Sequence, residues 1–170
     1  MANTTIYCFR NDLRLSDNPA FLKACSDSDF LLPLFCHPKE ELFKSNIPRI
    51  GIHRQFFLRQ ALDELKAVLN IYNSDLIEVY GDFAEEIQKI AETIHATRII
   101  FEKIEAPEEL DQENSVRNIG INVESIWQSS MIAPSELPFK PTDMPDIFTD
   151  FRKQIEIKKI QIKPPTPKPS

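Results

Sequence analysis

The sequence predicts a doubly wound α/β fold with a five-stranded parallel sheet. Five short apolar or alternating runs are separated by segments whose apolar residues recur at helical spacing. Strands that alternate with helices in this way are parallel and joined by right-handed crossovers. A chain of 170 residues, 42% of them hydrophobic, is long enough for one such domain.

The first two strands surround a short helix. The run Thr4–Phe9 is β-branched and aromatic and predicts the first strand. Asn18-Pro19 is a helix cap followed by proline, and it predicts a helix that ends near Ser26. The run Asp29–Phe35 is almost wholly apolar, as a strand covered on both faces should be.

The middle of the chain contains the longest helix. His37–Ile50 shows no sustained period, which predicts a loop with one short helical turn. A wide apolar stripe over Ile52–Asn70 predicts a long amphipathic helix. Asp75–Tyr80 alternates as a strand does, and after the turn at Gly81 a helix runs over Phe83–Ile94.

The last two strands precede a change in composition. Arg98–Phe101 and Asn122–Trp127 predict strands on either side of the helix Pro107–Arg117. Residues 1–130 therefore form the α/β domain, and residues 131–170 form an exit segment and proline-rich linker. That segment contains one amphipathic helix, Asp146–Ile157, and a terminal stretch, residues 160–170, that should be extended and solvated.

The charge balance bounds the partners of the chain. With 26 acidic and 20 basic side chains the net charge is −6, whereas binding a polyphosphate backbone needs clustered positive charge, so direct nucleic-acid binding by this domain is not expected. No apolar run approaches the roughly 18 residues of a membrane helix, and the N-terminus lacks a signal-peptide pattern. Three isolated cysteines are typical of buried thiols in a reducing compartment, and a cytoplasmic location is expected.

Several chemistries are excluded by counting residues. The three glycines are too few and too far apart for GxGxxG or the P-loop pattern. The three histidines have no metal-binding spacing, and no metal site is expected. Neither a GxSxG serine nor a cysteine beside a base is present, so no local motif indicates covalent catalysis.

The predicted ligand edge lies at the carboxyl ends of the strands, as in other doubly wound folds. The acidic stretch at this edge allows two interpretations: paired carboxylates for proton transfer or a hard metal, or acids that favour the positive end of a helix dipole. Its members are Glu102, Glu105, Glu108, Glu109 and Asp111.

The densest polar motif lies directly after the first strand, over Phe9–Asn18. The loop is predicted to fix itself through pairing of its own charges, while Leu13 and Leu15 pack inward. The charged residues concerned are Arg10, Asp12, Arg14 and Asp17.

The run FRNDLRLSDNPAFLKA, Phe9–Ala24, resembles the opening signature of the photolyase and cryptochrome family. PLFCHPKE, HRQFFLRQALDELKAVL and SDLIEVYGDFAEEIQKIAETIHATRIIFEK resemble later family segments in the same order, and ELPFKPTDMPDIFTDFRKQIE is most similar to the DASH branch. The resemblance covers residues 4–165. It implies a Rossmann-like antenna domain of a blue-light DNA-repair family, with a folate or deazaflavin in a cleft that faces a helical domain binding FAD and damaged DNA.

The resemblance also implies a set of chromophore-binding residues. The antenna carboxylate of the family corresponds here to Ile104 or to Glu105, depending on a one-residue shift, and Ile104 would mean that a folate-type anchor is lost. The loops after the second and fifth strands would face the same cleft. The residues predicted to bind a chromophore are His37, Glu102, Lys103, Glu105 and Gln128.

Two functional hypotheses follow from the resemblance. The first is a light-harvesting module with a vestigial antenna site that does not bind FAD or repair DNA by itself, because the helical domain is not in this chain. The second is a non-catalytic interaction subunit that pairs in trans with a separate FAD-binding helical domain, or associates with itself. A general nucleotide-binding α/β protein ranks last because there is no glycine-rich loop.

Overall fold

A computed structural model describes residues 2–38 and 50–169. Within them the strands are β1 (Thr4–Phe9), β2 (Phe30–Pro38), β3 (Ile77–Gly81), β4 (Arg98–Lys103) and β5 (Asn122–Trp127). They form one sheet in the order β3-β2-β1-β4-β5, and every neighbouring pair is parallel. The predicted five-stranded parallel sheet is confirmed.

The helices begin and end within two residues of the predicted positions. They are α1 (Pro19–Ser26), α2 (Ile52–Ile71), α3 (Phe83–Ile94), α4 (Pro107–Arg117) and α5 (Phe148–Lys158). Asn18 caps α1 by accepting the Phe21 N–H, and Asp82 caps α3 by accepting two N–H groups. The helical turn predicted before α2 falls on residues 39–49, outside the described residues. Among the described helices, none has the length and apolarity needed to cross a bilayer.

The two faces of the sheet carry two separate apolar cores because side chains alternate along each strand. Tyr7 and Phe9 point to the face covered by α1 and α2, where Leu62 of α2 is fully buried. Ile6 and Cys8 point to the opposite face, which α3 and α4 cover. Full burial of each large apolar side chain contributes about 1.5–3 kcal/mol.

Two strands are longer than predicted, which corrects the position of several candidate residues. β2 continues to Pro38 because β3 pairs with it from Leu34 onward. β4 continues to Lys103 because β5 supplies a partner for every residue of it. His37, Glu102 and Lys103 therefore lie on strands and not in loops, and successive residues point to opposite faces of the sheet.

The exit segment leaves the sheet and then returns to it. Two 3₁₀ turns, Pro134–Glu136 and Pro141–Asp143, precede α5. None of the α5 residues, all of which the structure describes, is buried. The terminal stretch is mostly exposed as expected, but Thr166 exchanges hydrogen bonds with Asp17, so this stretch is docked and not free in solvent.

Candidate functional site

The strand order reverses between β1 and β4, which makes this the topological switch point of the sheet. Strand β1 connects through α1 to β2 on one side, whereas β4 is followed by β5 on the other. In doubly wound folds the loops that follow such strands diverge, and ligands bind at the carboxyl ends of the two strands.

A buried carboxyl group lies at this switch point. Glu102, the penultimate residue of β4, is 7% exposed. Its Oε2 accepts the Asp12 N–H at 3.2 Å, and its Oε1 accepts the Ser129 hydroxyl at 3.4 Å. Burial, reinforced by the nearby Asp12 carboxylate, raises the pKa of Glu102 above its ordinary value even though both hydrogen bonds lower it.

Gln128 completes the arrangement from the end of β5. Its Nε2 donates to Asp12 Oδ2 at 3.0 Å, and its Oε1 accepts the Ala20 N–H of α1 at 3.2 Å. Asp12, Glu102, Gln128 and Ser129 form what we call the switch-point cluster. It joins the loops after β1 and β5 to the end of β4.

The loop after β1 pairs its charges much as predicted. Arg14 donates from Nε and Nη2 to the two Asp12 carboxylate oxygens, each at 3.0 Å, and from Nη1 to Asp17 Oδ2 at 3.3 Å. The Asp12 hydrogen bond is the largest effect that raises the pKa of Arg14. Leu15 packs inward at 8% exposure and Leu13 packs against the same core, which confirms that part of the prediction.

Arg10 departs from the prediction because its alternation along the chain turns it to the α3/α4 face. Its guanidinium lies 5.5 and 5.4 Å from the ring centroids of Phe83 and Phe101. It donates to the carbonyls of Glu102 and Glu109 and to Gln112 Oε1. Burial lowers the pKa of Arg10. These contacts join the end of β1 to β4 and α4.

Asn18 holds the far end of the same loop. It is fully buried, and its Oδ1 accepts the Tyr7 hydroxyl at 3.0 Å and the Phe21 N–H at 2.9 Å. Its Nδ2 donates to the Arg14 carbonyl at 2.9 Å. The amide therefore fixes the loop to β1 and α1 together, and this is more than the helix cap that the sequence indicated.

His37 belongs to a different cluster on β2 and β3. His37 Nε2 lies 2.7 Å from Glu78 Oε2, and Glu78 also accepts from Arg59 at 2.7 and 3.0 Å. The imidazole stacks on the Tyr80 ring with centroids 4.3 Å apart. These four residues are the His37 cluster, and the Arg59 hydrogen bonds, as the largest cause, lower the pKa of Glu78.

Lys103 and Glu105 pair with each other away from the switch-point cluster. Lys103 follows Glu102 and therefore points to the α3/α4 face. There burial opposes the lowering of the Glu113 pKa, which comes first from the Arg117 and Ser125 hydrogen bonds and to a smaller extent from the Lys103 charge. Its Nζ lies 3.1 Å from Glu105 Oε1, and the Glu105 side chain is 50% exposed. Ile104 is half-buried between them.

The acidic stretch does not converge on one point. Glu108 and Glu109 occupy the first turn of α4, in agreement with the helix-dipole interpretation, whereas Glu102 is buried on β4. Across residues 2–38 and 50–169 no group of three histidine, cysteine or acidic side chains is placed to hold a metal ion. The three cysteines are free thiols, and burial raises the pKa of both Cys25 and Cys36 to about 11, which opposes nucleophilic use.

The structure therefore brings together two of the five predicted chromophore-binding residues. Glu102 and Gln128 meet in the switch-point cluster, whereas His37, Lys103 and Glu105 have their own partners. The prediction did not assign Asp12 to the site. Its position directly after the first strand, at the switch point, is the signal that could have found it.

Two cavities lie away from the switch-point cluster. One, of about 260 Å³, separates α1 from α2 over β2 and is bordered by Lys168 and Pro169. The other, of about 230 Å³, lies between the starts of α3 and α4 and is lined by Asp82, Glu108 and Asp111. Neither cavity is lined by a residue of the cluster.

Comparison with known proteins places the chain in a family. A family model described as DNA photolyase matches residues 5–170. The chain belongs to the DNA photolyase family. Cryptochrome DASH of Synechocystis is 34% identical over 95% of this chain, and that of Arabidopsis thaliana is 36% identical over 91%. The predicted similarity to the DASH branch is confirmed.

Solved structures of photolyases and cryptochromes share the fold. The Synechocystis cryptochrome superposes with a TM-score of 0.92 at 31% identity, and the match covers 99% of this chain and 36% of that one. A photolyase from Sulfolobus tokodaii, solved with two FAD molecules, has a TM-score of 0.77 at 21% identity, which shows the fold alone. This photolyase-family chain spans about a third of the length of its curated relatives.

Proposed function

We propose that this chain is an antenna-type α/β module with a vestigial chromophore site at the switch-point cluster. A folate or deazaflavin bound there would absorb light and pass excitation onward. The observation that carries the proposal is the buried Glu102 carboxyl with raised pKa at the switch point, held by Asp12 and Ser129. Carboxyl groups with a perturbed pKa are typical of functional sites, and the switch point is where doubly wound folds bind ligands.

The chemistry of the cluster suits one edge of a flat heteroaromatic ring. Pterin and deazaflavin rings present N–H and carbonyl groups side by side, and a carboxyl group accepts in its ionised form and also donates in its neutral form. A carboxyl group therefore suits either kind of ring atom, and burial raises the pKa of Glu102 above its ordinary value. The main-chain N–H of Asp12 and the Ser129 hydroxyl hold the carboxyl in place.

The same site lacks features of a tight one. Neither position that could match the family carboxylate supplies a free anchor, because Ile104 is apolar and Glu105 pairs with Lys103. Tight small-molecule sites bury roughly 70–90% of their ligand, whereas neither of the two cavities described above is lined by a residue of the switch-point cluster. We therefore expect affinity in the micromolar range or weaker, a binding free energy no stronger than about −8 kcal/mol.

Titration of the protein with a folate, a deazaflavin and FAD, followed by absorbance and fluorescence, tests the proposal. Glu102→Gln should weaken folate or deazaflavin binding about tenfold. Glu105→Gln is the matched control and should leave it unchanged. The proposal fails if neither chromophore binds at about 1 mM, or if only the Glu105 variant loses affinity. Tight FAD binding with blue-light repair of pyrimidine dimers would contradict the non-catalytic assignment.

A second candidate function is pairing in trans with an FAD-binding helical domain. It is favoured by the large apolar side chains that are exposed along the exit segment. The segment is nevertheless ordered by ring contacts, because the Phe151 ring centroid lies 5.6 Å from that of Phe139 and 6.3 Å from that of Phe148. The exposed residues are Met131, Met144, Ile147, Phe148, Ile157 and Ile162.

Light scattering after mixing the chain with a separately expressed helical domain from a photolyase-family protein tests this candidate. We expect a one-to-one complex that Phe148→Asp weakens at least tenfold. Phe30→Asp is the control, because Phe30 is comparably exposed but is the first residue of β2 and does not belong to the exit segment. Recovery of only the monomer, or of a homodimer that excludes the helical domain, would contradict the candidate.

A further inference from the structure

The segment Lys163–Pro169, which we call the strap, crosses the loop between β1 and α1. The Asp17 N–H donates to the Thr166 carbonyl at 2.9 Å, and the Thr166 N–H donates to Asp17 Oδ1 at 3.3 Å. At one end Lys163 Nζ lies 2.5 Å from Glu136 Oε1. At the other end Lys168 Nζ lies 4.6 Å from the centroid of the Tyr72 ring. The strap is therefore fixed at three points.

Asp17 is the point where the strap meets the loop, and its backbone is unusual. Its φ of 51° lies in the left-handed region, which residues other than glycine seldom adopt. Surrounding contacts must therefore stabilise this conformation. The two hydrogen bonds with Thr166 are such contacts. They fix both the main chain and the carboxylate of Asp17.

A continuous path of hydrogen bonds leads from Asp17 to the switch-point cluster. Asp17 Oδ2 and its carbonyl accept from the two terminal nitrogens of Arg14, each at 3.3 Å. Nε and Nη2 of the same guanidinium donate to the two oxygens of the Asp12 carboxylate. The Arg14 main-chain N–H adds a further hydrogen bond to Asp12 Oδ1 at 3.0 Å. Asp12 in turn holds Glu102 through its N–H and Gln128 through its carboxylate.

We propose that the strap positions the switch-point cluster through Arg14, so that release of the strap loosens the cluster. Seated on Asp17, the strap orders the Arg14 guanidinium, and Arg14 fixes the Asp12 carboxylate between its own donors and the Gln128 amide. Because linkage is reciprocal, a ligand at the cluster also favours the seated strap. This last consequence, and only this one, rests on the proposed chromophore site.

Amide hydrogen exchange on the full chain carrying Thr166→Pro tests the proposal. Proline fits the extended strap but removes the N–H that Asp17 accepts. Thr166→Val is the matched control, since it keeps the N–H and loses only a hydroxyl with no partner among the described residues. We expect exchange at the Asp12 and Arg14 amides to rise at least fivefold in the proline variant and to stay unchanged in the valine variant. Unchanged exchange at both amides in the proline variant would overturn the proposal.

A second background separates Arg14 as the relay from a general loosening of the loop. In Arg14→Met the strap still meets Asp17 but the side-chain link to Asp12 is gone. Adding Thr166→Pro there should raise exchange at Asp17 alone, whereas a further fivefold rise at Asp12 would exclude Arg14 as the relay. Titration of the Glu102 carboxyl by NMR supplies a third readout, in which strap release should lower its pKa toward the ordinary value because the group becomes better solvated.

A chromophore titration of the same variants keeps the two proposals apart. If the wild-type chain binds folate or deazaflavin, Thr166→Pro should weaken that binding about threefold or more while Thr166→Val does not. Equal affinity in all three proteins would overturn the coupling between the strap and the ligand. If no chromophore binds to the wild type, the proposed function fails, and the exchange measurements still decide whether the strap holds the cluster.

Discussion

Glu102 and Glu78 are carboxyl groups near the same edge of one sheet, and their environments shift their pKa values in opposite directions. Glu102 accepts hydrogen bonds from two neutral donors, the Asp12 N–H and the Ser129 hydroxyl, and burial raises its pKa. Glu78 accepts two hydrogen bonds from the Arg59 guanidinium, which lower its pKa. The two groups lie on β4 and β3, on either side of β1 and β2.

The difference separates a group that can bind a ligand from one that is already satisfied. Glu78 has a cationic partner within the fold, so a ligand would have to displace Arg59 or His37 to reach it. Glu102 carries its desolvation cost without a salt bridge of its own among the described residues, and a ligand that donates to it would offset that cost. The switch-point cluster is for this reason a better candidate site than the His37 cluster.

The largest effect is expected where the loop of the switch-point cluster is anchored. Asn18→Ala removes the cap of α1 and leaves the buried Tyr7 hydroxyl and the Arg14 carbonyl without a partner. We expect the free energy of unfolding to fall by about 3 kcal/mol, measured by urea denaturation. Asn11→Ala, at an exposed position of the same loop, is the control. A loss below about 1 kcal/mol would show that Asn18 does not hold the loop.

A smaller loss of stability is expected when Arg59, the cation that pairs with Glu78, is replaced. Arg59→Met should lower the free energy of unfolding by about 1–2 kcal/mol at pH 7, since the Arg59 side chain is 40% exposed and partly screened by solvent. The lowered pKa of Glu78 contributes stability above its ordinary value of 4.5, and this is lost as the pH falls through the folded-state pKa. The loss should therefore shrink below about pH 4.

Arg152→Met is the matched control for that measurement. Arg152 pairs with Glu156 on α5, and both side chains are more than half exposed, so the change should cost no more than about 0.5 kcal/mol. If Arg59→Met costs as little as Arg152→Met at pH 7, the ion pair does not account for the lowered pKa of Glu78, and the contrast between the two carboxyls fails.

Neutralising each carboxyl in turn should give effects of opposite sign. The raised pKa of Glu102 means that its stabilising contribution is complete below its ordinary pKa and is lost as the pH rises through the folded-state value. Glu102→Gln should therefore become more stable relative to wild type as the pH rises from 4 to 7. Glu78→Gln should lose stability over the same interval, and two curves of the same sign would contradict the comparison.

The sequence predicts where the helices and strands lie, but it does not predict to which face of the sheet the candidate side chains point. Thr4–Phe9 and Asn122–Trp127 were predicted with their observed bounds because apolar runs are local signals. The extension of β4 to Lys103 depends on pairing with β5, which no local pattern contains. That extension sends Glu102 and Lys103 to opposite faces, although the prediction placed both in one site.

Contacts between distant parts of the chain account for the rest of what sequence reasoning missed. Arg10 bonds to Gln112, 102 positions later, and Thr166 pairs with Asp17, 149 positions earlier. A loop rich in both charges can neutralise itself, and Arg14 does so with Asp12, but local spacing cannot tell which arginine turns to the other face. The docked strap was missed because proline-rich composition indicates an extended backbone without indicating what it touches.

The smallest effect is expected at the pair that the family resemblance had placed in the site. Lys103 and Glu105 lie 3.1 Å apart, but the Glu105 side chain is half exposed, so solvent and salt screen the pair. Glu105→Gln should change the free energy of unfolding by less than about 0.5 kcal/mol at any pH between 4 and 8, measured by urea denaturation. Lys103→Met should behave alike, because each variant removes the same screened contact. A loss above about 1 kcal/mol in the Glu105 variant alone would indicate that this carboxylate has a buried role, and the candidate site would then extend from the end of β4 into the following loop.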